Sequence, residues 1–478
     1  MNSHSFHPSI LRAYDIRGIY NETLFDRDAY FIGKCFAKIL QQKSKNKIVV
    51  ACDGRVSSPI LKQRLIQGLQ ESGLEIIDVG VGPTPMLYFA VYELNFDAGI
   101  MITGSHNPKN HNGFKMMIKG ENFHGENILQ LAQILAKNDF KLGEGTVKTI
   151  DIKNKYLERL LLDCDLSQSE SELLNEIEIN ENLRQLKIVW DAGNGSAGEI
   201  MTMLSKRIYG EHHLLFNEID GDFPNHHPDP TEEKNLQDLI KMVRQKKCDL
   251  GIAFDGDGDR IGVVDGEGEI IWGDQLLIIL AWDVLKNFPK ASIIADVKAS
   301  SLLFQEIAKA GGEPIMWKTG HSLIKAKMKE TKAKLAGEMS GHIFFADKYY
   351  GFDDALYCAV RLLNILANSN LTLSEIRQKL PKVFATPEIR IESSEEKKFA
   401  IVKNISEELT RINANFSAID GVRVNKDNGW WLIRASNTQS ALVARCEADS
   451  PENLQILKQD LAKTLQNQQV KLPKILES

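Results

Sequence analysis

Three aspartates separated by single glycines form the strongest chemical signal in this sequence. Asp255, Asp257 and Asp259 occur in the run FDGDGDRIGVVD, directly after the apolar segment LGIAF, so we expect them at the end of a strand. Alternating carboxylates on a tight, glycine-containing loop can converge on one hard cation, which favours Mg²⁺ or a related ion. Without a cation, three unpaired carboxylates this close would repel one another. We therefore predict a metal site that leaves room for water and a phosphoryl oxygen.

Two other kinds of loop share part of this acidic pattern. An EF-hand loop begins in a similar way, but it needs glycine at its sixth position and glutamate at its twelfth. Arg260 and Gly266 stand at those positions, so the EF-hand is excluded. The remaining alternative is an acidic hairpin turn in which the aspartates only accept backbone hydrogen bonds.

A serine lies between a glycine and a histidine in the segment TGSHNPKNHNGFK, just after the apolar run AGIMI. Small polar residues at the end of a strand are often only a capped turn. If the metal loop lies nearby, however, the Ser105 hydroxyl can accept and return a phosphoryl group while Mg²⁺ neutralises charge on the transferring oxygens. Gly104 leaves space beside this serine, and His106 and Lys115 are candidate charge partners.

Composition limits the classes of partner and compartment. The 478 residues carry a net charge of -6, which gives no electrostatic footprint for nucleic acid, so a local cluster of cations must hold any anion. The six cysteines are scattered without CxxC pairs, which is typical of reduced thiols and indicates neither a disulfide framework nor a zinc site. The N-terminal segment MNSHSFHPSILR has no apolar core for a signal peptide, and the apolar run LLIILAW is too short to cross a bilayer. We expect a cytoplasmic protein that binds neither nucleic acid nor membranes.

Three stretches share a layout that would position these loops. In each, a β-branched run ends at an aspartate (Asp53, Asp191 or Asp296), and a polar or glycine-rich loop can cap the helix that follows. Strands that alternate with helices predict α/β units around mixed or parallel sheets. We therefore expect three related α/β domains, although periodicity alone does not exclude one large doubly wound sheet.

Beyond about residue 370 the pattern changes to a helix-rich stretch, short strands and a closing amphipathic helix, which predicts a smaller C-terminal α+β domain. We expect joins near 148–155 and 254–258. The predicted domains are 1–150 with the serine loop, 151–254, 255–369 with the metal loop, and 370–478.

The chain resembles the α-D-phosphohexomutases, and in particular the bacterial phosphomannomutase/phosphoglucomutase branch, over nearly its whole length. The resemblance rests on five segments in the same order: RAYDIRG (12–18), TGSHNP (103–108), DGDGDR (255–260), GEMSGH (337–342) and RASNT (434–438). It implies four domains that meet at one central cleft.

The resemblance also implies a reaction, which is reversible phosphoryl transfer between O1 and O6 of mannose or glucose phosphates. Phospho-Ser105 would donate to the substrate, and the resulting 1,6-bisphosphate would stay bound and reorient. Ser105 and the three aspartates are then the implied Mg²⁺ ligands, and glucose 1,6-bisphosphate the implied activator. Arg260 is expected to face the phosphoryl group, while Lys115 and His342 are the two candidates for the general base.

A set of substrate-binding residues follows from the same likeness. Glu338 and Ser340 can bond vicinal sugar hydroxyls, although a helix entry at Glu338 is the alternative. Arg434 offers a planar fork to a phosphate. Arg12 and Arg17 are weaker candidates that could equally form surface ion pairs, and Tyr14 could equally belong to the core. The implied substrate-binding residues are Tyr14, Arg17, Lys298, His321, Glu338, Ser340, Arg434, Ser436, Asn437 and Thr438.

Two rival functions stay open at this point. A phosphoglucosamine mutase is one, although Gly104 and Met339 fit the dual glucose and mannose branch better. A non-catalytic sugar-phosphate-binding protein on the same scaffold is the other, but none of the motif residues is lost. The sequence leaves open the preferred sugar, the pathway and the general base. We expect a monomer or weak dimer whose partners are hexose phosphates.

Overall fold

Four β-sheets follow one another along the chain in a computed structural model that describes residues 4–121, 123–168, 183–437 and 440–477. The first three sheets are mixed, with parallel strands at the centre and antiparallel pairing towards one edge. The fourth sheet is antiparallel throughout. This architecture confirms the predicted three related α/β units and the C-terminal α+β unit, and it excludes one large sheet.

The first sheet has the strand order β1-β5-β4-β2-β3-β6. Its strands are β1 (Ile16–Ile19), β2 (Lys47–Cys52), β3 (Glu75–Val81), β4 (Ala98–Ile102), β5 (His111–Ile118) and β6 (Thr146–Thr149). Its helices are α1 (Asp26–Gln42), α2 (Ser58–Gln70), α3 (Thr84–Glu93) and α4 (Glu126–Lys137), after a short 3-10 helix at Pro8–Ile10. Because β2 and β4 are parallel neighbours, the segments after Cys52 and Ile102 leave the same edge of the sheet. The serine loop therefore starts beside Asp53.

The second sheet has the order β11-β10-β9-β7-β8. Its elements are α5 (Lys153–Leu161), β7 (Leu186–Asp191), α6 (Gly198–Ser205), β8 (Gly210–Leu215), a 3-10 helix (Glu233–Leu236), α7 (Gln237–Lys246), β9 (Leu250–Phe254), β10 (Ile261–Asp265) and β11 (Ile270–Ile271). The three aspartates form the turn between β9 and β10, where Phe254 pairs with Ile261. The boundary predicted at 254–258 divides this hairpin and is wrong, because antiparallel hydrogen bonding keeps the metal loop with the second sheet.

The third sheet has the order β13-β12-β14-β15. Its elements are α8 (Gly273–Asn287), β12 (Ser292–Asp296), α9 (Ser301–Lys309), β13 (Glu313–Trp317), α10 (His321–Thr331), β14 (Leu335–Gly337), β15 (Ile343–Phe345), α11 (Ala355–Ala367) and α12 (Leu373–Lys379). Leu373 and Ile376 of α12 are buried in the core shared with the second and third sheets. The predicted boundary at 370 therefore falls too early, and α12 packs with the preceding unit.

The fourth sheet has the order β16-β21-β20-β19-β18, with β17 also paired to β21. Its elements are β16 (Phe384–Ala385), β17 (Ile389–Glu392), α13 (Glu395–Arg411), β18 (Phe416–Ser417), β19 (Val422–Lys426), β20 (Gly429–Ala435), β21 (Ala441–Ala448), α14 (Pro451–Asn467) and α15 (Lys474–Glu477). This unit has its own apolar core, in which Trp431 and Leu461 are fully buried. Arg434 is near the end of β20 and thus close to the turn of the β20–β21 hairpin.

Three aspartates, one directly after β2 and one at the last position of each of β7 and β12, hold the loops that follow them. Asp53 accepts hydrogen bonds from the Ser58 hydroxyl and the Gly104 N–H, and Asp191 accepts one from the Gly193 N–H. Asp296 accepts one from the Met339 N–H. Buried loop donors need such acceptors, so these aspartates serve to shape the loops.

Two features bear on compartment and membrane contact. Across the described residues, no helix is both long and apolar enough to cross a bilayer. All six cysteines are buried free thiols. The apolar run LLIILAW lies inside α8, where it packs into the core.

Candidate active site

One cleft of about 1370 Å³ receives loops from all four sheets. The three aspartates of the metal loop are fully buried beside it. Thr438 lies outside the described residues. The predicted residues that line the cleft are Arg12, Tyr14, Arg17, Ser105, Lys115, Arg260, Lys298, His321, Glu338, Ser340, His342, Arg434, Ser436 and Asn437.

Ser105 presents its hydroxyl to the metal loop. Its Oγ donates to Asp255 Oδ2 at 3.0 Å and lies 3.2 Å from Nδ1 of His106. The Ser105 backbone has a φ of 49°, in the left-handed region, which costs a residue with a Cβ roughly 1–2 kcal/mol. Its N–H is held by the Thr103 hydroxyl at 2.8 Å. This strained backbone holds the hydroxyl in an orientation that faces Asp255.

The carboxylates of Asp255, Asp257 and Asp259 converge, with one oxygen of each lying within 4.8 Å of the others. Oδ1 of Asp257 and Oδ1 of Asp259 are buried and have no hydrogen-bond partner among the described residues. Burial and the neighbouring carboxylates raise the pKa of Asp255 and of Asp259 above the usual aspartate value. A dication would satisfy the free oxygens and remove the repulsion, so this all-oxygen donor set fits Mg²⁺.

The metal loop is also tied to the first sheet through Thr84, at the start of α3. The Thr84 N–H donates to the Asp257 carbonyl at 2.8 Å, and its hydroxyl donates to Asp257 Oδ2 at 2.5 Å. Within the loop, Asp255 Oδ1 accepts the N–H of Asp259 at 3.1 Å. The orientation of Asp257 is therefore set by two sheets together.

Lys115, on β5, forms the main charge contact of the metal loop. Its ammonium donates to Asp257 Oδ2 at 2.6 Å and to Asp259 Oδ2. Burial on its own lowers the pKa of Lys115, but the two carboxylates outweigh burial and raise the pKa above the usual lysine value. Lys115 is therefore held as an ammonium in ion pairs with these two aspartates.

His342 contacts a charged side chain through each ring nitrogen. Its Nε2 accepts a hydrogen bond from Arg260 Nε at 3.0 Å, and its Nδ1 lies 3.0 Å from Asp353 Oδ2. These partners assign the proton to Nδ1 and the lone pair to Nε2. The ring of His321 stacks on His342 with centroids 5.7 Å apart. The Nε2 lone pair is therefore available once Arg260 turns to another partner.

The GEMSGH segment forms the turn between β14 and β15, so the alternative helix entry at Glu338 is wrong. Oε1 of Glu338 accepts the Gly320 N–H at 2.5 Å, and Oε2 accepts the Ser340 hydroxyl at 3.1 Å. Nearby, the Lys298 ammonium donates to Glu388 Oε2 at 3.1 Å. That ammonium lowers the pKa of Glu388 to about 2. This part of the cleft thus carries both hydrogen-bond donors and acceptors.

The RASNT segment is connected to the other sheets by hydrogen bonds of its described residues. Arg434 Nε donates to Asp420 Oδ2 at 3.0 Å, and the same oxygen accepts the Thr319 N–H at 3.0 Å. The Tyr14 hydroxyl donates to the Thr319 carbonyl at 2.8 Å and accepts from Asn437 Nδ2 at 2.5 Å. Tyr14 therefore links the first, third and fourth sheets across the cleft.

Arg17 supports the serine loop from the cleft side. Its Nη1 donates to the Thr103 carbonyl at 2.7 Å, and its Nε donates to Asp15 Oδ2 at 2.7 Å. Arg17 is thus a cation held beside the serine that is expected to carry a phosphoryl group.

Several residues that shape the site were not predicted from the sequence. Each is charged or polar and lies in a loop between elements or, for Thr84, at the start of a helix, which is a signal too common to single it out. These residues are Arg55, Thr84, Asp353, Glu388 and Asp420.

Comparisons with known proteins agree with this architecture. Family models described as phosphoglucomutase/phosphomannomutase alpha/beta/alpha domains I, II and III match residues 8–142, 171–268 and 272–384. The model of the C-terminal domain of the same family matches residues 388–464. The four models follow one another in order and cover most of the chain.

Individual relatives are similar over almost the full length. The chain is 44% identical over 450 residues to a phosphomannomutase/phosphoglucomutase of Pseudomonas putida, covering 94% of each protein. It is 43% identical over 445 residues to a phosphoglucomutase of Neisseria gonorrhoeae, covering 92% of this chain and 93% of that protein. A crystal structure of a phosphoglucomutase/phosphomannomutase family protein from Burkholderia thailandensis superposes with a TM-score of 0.89 at 40% identity, covering 97% of this chain and 99% of that one.

Proposed function

The chain belongs to the phosphoglucomutase/phosphomannomutase family, and from this premise we propose that it moves a phosphoryl group between O1 and O6 of a hexose phosphate through phospho-Ser105. It is an intramolecular phosphotransferase of hexose phosphates. The observation that carries the assignment of the serine is the 3.0 Å contact from Ser105 Oγ to the buried Asp255 carboxylate. A hydroxyl at this distance from a metal-type donor set suits phosphoryl transfer.

The residues around the serine have distinct roles in this proposal. Ser105, Asp255, Asp257 and Asp259 would hold Mg²⁺, which supplies neutralisation of charge on the transferring oxygens. The Lys115 ammonium keeps the carboxylates of the loop together and adds a positive charge beside the reacting group. All of these groups are buried, which limits their exposure to bulk water.

This arrangement favours His342 as the general base. Arg260 controls whether the Nε2 lone pair of His342 is free to accept a proton. Arg260 Nε donates to the His342 Nε2 lone pair at 3.0 Å. When Arg260 turns to the phosphoryl group, the same lone pair becomes free for the proton of the attacking sugar hydroxyl. Asp353 keeps the other ring nitrogen protonated. Lys115, being held as an ammonium, is left as the charge partner.

The size of the cleft fits a bisphosphate intermediate that reorients while it stays bound. Its volume of about 1370 Å³ exceeds the ≈ 300–1,000 Å³ of ordinary ligand pockets. Each phosphate of a 1,6-bisphosphate carries about -1.5 to -2 charges, so both ends need cations. Arg17 lies beside the serine loop and Arg434 on β20 of the fourth sheet, and these two cations of the cleft would allow either phosphate to face Ser105.

The sugar preference is tested by a substrate assay. We expect turnover of both glucose 1-phosphate and mannose 1-phosphate to the 6-phosphates with Mg²⁺ and glucose 1,6-bisphosphate as activator, because Glu338 and Ser340 offer bonds to vicinal hydroxyls. A coupled assay for each 6-phosphate measures this. Faster turnover of glucosamine 1-phosphate than of either neutral sugar would contradict the assignment and favour a phosphoglucosamine mutase.

Arg434→Ala should weaken substrate binding and let the intermediate escape. A charge-assisted hydrogen bond is worth about 1.5–3 kcal/mol, so the KM for glucose 1-phosphate should rise roughly 10- to 150-fold. Release of free 1,6-bisphosphate should increase as well. Arg434→Lys should rescue only in part, because an ammonium cannot reproduce the planar fork.

Steady-state kinetics and chromatography of released bisphosphate measure both effects. Arg411→Ala is the matched control, since Arg411 is an exposed arginine of the same unit outside the cleft. Unchanged substrate affinity together with unchanged leakage in Arg434→Ala would contradict the proposed phosphate site.

The proposal extends to the oligomeric state and the compartment of the enzyme. One chain supplies all the loops of the cleft, so a monomer or weak dimer suffices. Six buried, unpaired thiols and a net charge of -6 fit a reducing cytoplasm and no role in nucleic-acid binding.

A further inference from the structure

The guanidinium of Arg55 lies beneath the loop that carries Ser105 and donates to four of its backbone carbonyls. Nη2 donates to the carbonyls of Ser105 and Asn107, each at 2.6 Å. Nη1 donates to the carbonyls of Pro108 at 2.6 Å and His111 at 3.0 Å. The Arg55 side chain is completely buried. One rigid group therefore fixes the backbone from residue 105 to residue 111.

The guanidinium is itself fixed from other directions. Its Nε donates to Asp53 Oδ2 at 3.2 Å, and the same carboxylate oxygen accepts the Gly104 N–H at 3.0 Å. The ring of Phe223, from a loop of the second unit, lies 5.1 Å from Arg55 Cζ, within cation–π range. Arg55 is therefore held between the end of β2 and the second unit.

The close approach of Arg55 requires a glycine at position 104. A Cβ on Gly104 would lie 2.3 Å from both Cζ and Nε of Arg55, and 2.7 Å from the His111 carbonyl oxygen. The space beside Ser105 is thus taken up by the guanidinium, which cannot move aside without losing its acceptors. Arg55 and the glycine form one close-packed support for the serine.

The strained serine needs such a support. At a φ of 49° the Ser105 carbonyl faces Arg55 while its Oγ faces Asp255. Relaxation of this backbone to an ordinary conformation would turn the hydroxyl away from the metal loop. The carbonyl oxygens collected by Arg55 also cannot face the phosphoryl group, whose charge of about -1.5 to -2 they would repel.

We propose that Arg55 is a positioning residue for phosphoryl transfer, holding the 105–111 backbone so that Ser105 Oγ faces the Asp255 carboxylate. Arg55 is not among the residues that line the cleft, so it acts through the loop and touches neither substrate nor reacting atoms. This inference rests on the proposed role of Ser105 as the phosphoryl carrier.

The test compares Arg55→Met and Arg55→Lys with the parent enzyme and a matched control. The control is Arg361→Lys, because Arg361 is also a buried arginine, paired with Asp347 and Asp283, outside the cleft. For each protein the measurements are kcat, the KM for glucose 1-phosphate, the melting temperature, and the rate at which glucose 1,6-bisphosphate phosphorylates Ser105, followed by intact mass.

A displaced loop should slow chemistry without weakening sugar binding. In Arg55→Met we expect kcat and the phosphorylation rate to fall about 100-fold, the effect typical of a misplacement of about 1 Å, while KM stays within about threefold. The kcat and the phosphorylation rate of Arg55→Lys should lie between those of Arg55→Met and those of the parent. Arg361→Lys should lower the melting temperature and leave both rates near those of the parent.

Three results would overturn the proposal: rates in folded Arg55→Met within about threefold of the parent, rate losses matched by Arg361→Lys, or failure of both Arg55 variants to fold. The last result would make Arg55 a general stabilising residue. A parent enzyme that gains no phosphoryl group on Ser105 would instead refute the proposed function, which separates the two failures.

Discussion

Ser105→Ala should fold like the parent and lose mutase turnover by roughly 10⁴-fold or more, as removal of a nucleophile does in other enzymes. The reason is geometric, because the Ser105 hydroxyl lies 3.0 Å from the Asp255 carboxylate at the floor of the cleft. Steady-state turnover of glucose 1-phosphate, with circular dichroism as the check of folding, measures the effect.

Ser205→Ala is the matched control for this variant. Ser205 is also a buried serine, but it donates to the Thr202 carbonyl at the end of α6, outside the cleft. We expect parental turnover from the control. Activity of Ser105→Ala near that of the parent would refute the assignment of the phosphoryl carrier.

Asp257→Asn should weaken Mg²⁺ affinity at least about 10- to 100-fold, the loss already seen when outer-shell partners of a metal are removed. The substitution neutralises one of three converging carboxylates and weakens the contacts of Thr84 and Lys115 to the same oxygen. Titration of turnover with Mg²⁺ measures the change. Removal of metal with EDTA should inactivate the parent.

A stability measurement gives a second readout of the metal site. An ion that binds only the folded state at 100 times its Kd stabilises it by about 2.7 kcal/mol, so Mg²⁺ should raise the melting temperature of the parent. That increase in melting temperature should be smaller in Asp257→Asn. It should persist in Asp265→Asn, because Asp265 is on the same hairpin as the metal loop but its carboxylate pairs with Arg377. Full activity of the parent in EDTA would contradict the metal site.

The parts of the site that the sequence predicted are local patterns. Asp255, Asp257 and Asp259 alternate with glycines, so their convergence follows from one tight turn. The position of Ser105 at the end of β4 likewise follows from the apolar run before it. Short-range spacing and strand propensity are enough to predict such features.

The supporting contacts could not be predicted because they join residues far apart in the chain. Lys115 reaches Asp257 from another sheet, and Arg55 collects carbonyls that lie 50 or more positions further on. Such pairs depend on how sheets are placed against one another, and no periodicity in one sequence encodes that placement.

The domain boundary predicted at 254–258 failed for a related reason. The sequence changes character at 254, where an apolar strand gives way to acidic turn residues. Hydrogen bonding continues across that point, because Phe254 of β9 pairs with Ile261 of β10. A change of composition marks a turn as readily as it marks a domain boundary.

The fate of one phosphoryl group on Ser105 tests most directly whether this serine carries the phosphoryl group between enzyme and sugar. The parent enzyme is incubated with glucose 1,6-bisphosphate and Mg²⁺, freed of sugar, and mapped by tandem mass spectrometry before and after addition of glucose 6-phosphate. We expect one phosphoryl group on the peptide that contains Ser105, its transfer to the sugar on the second addition, and none in Ser105→Ala. An unmodified Ser105, or a phosphoserine that does not transfer its phosphoryl group to glucose 6-phosphate, would contradict the proposed role of Ser105 as the phosphoryl carrier.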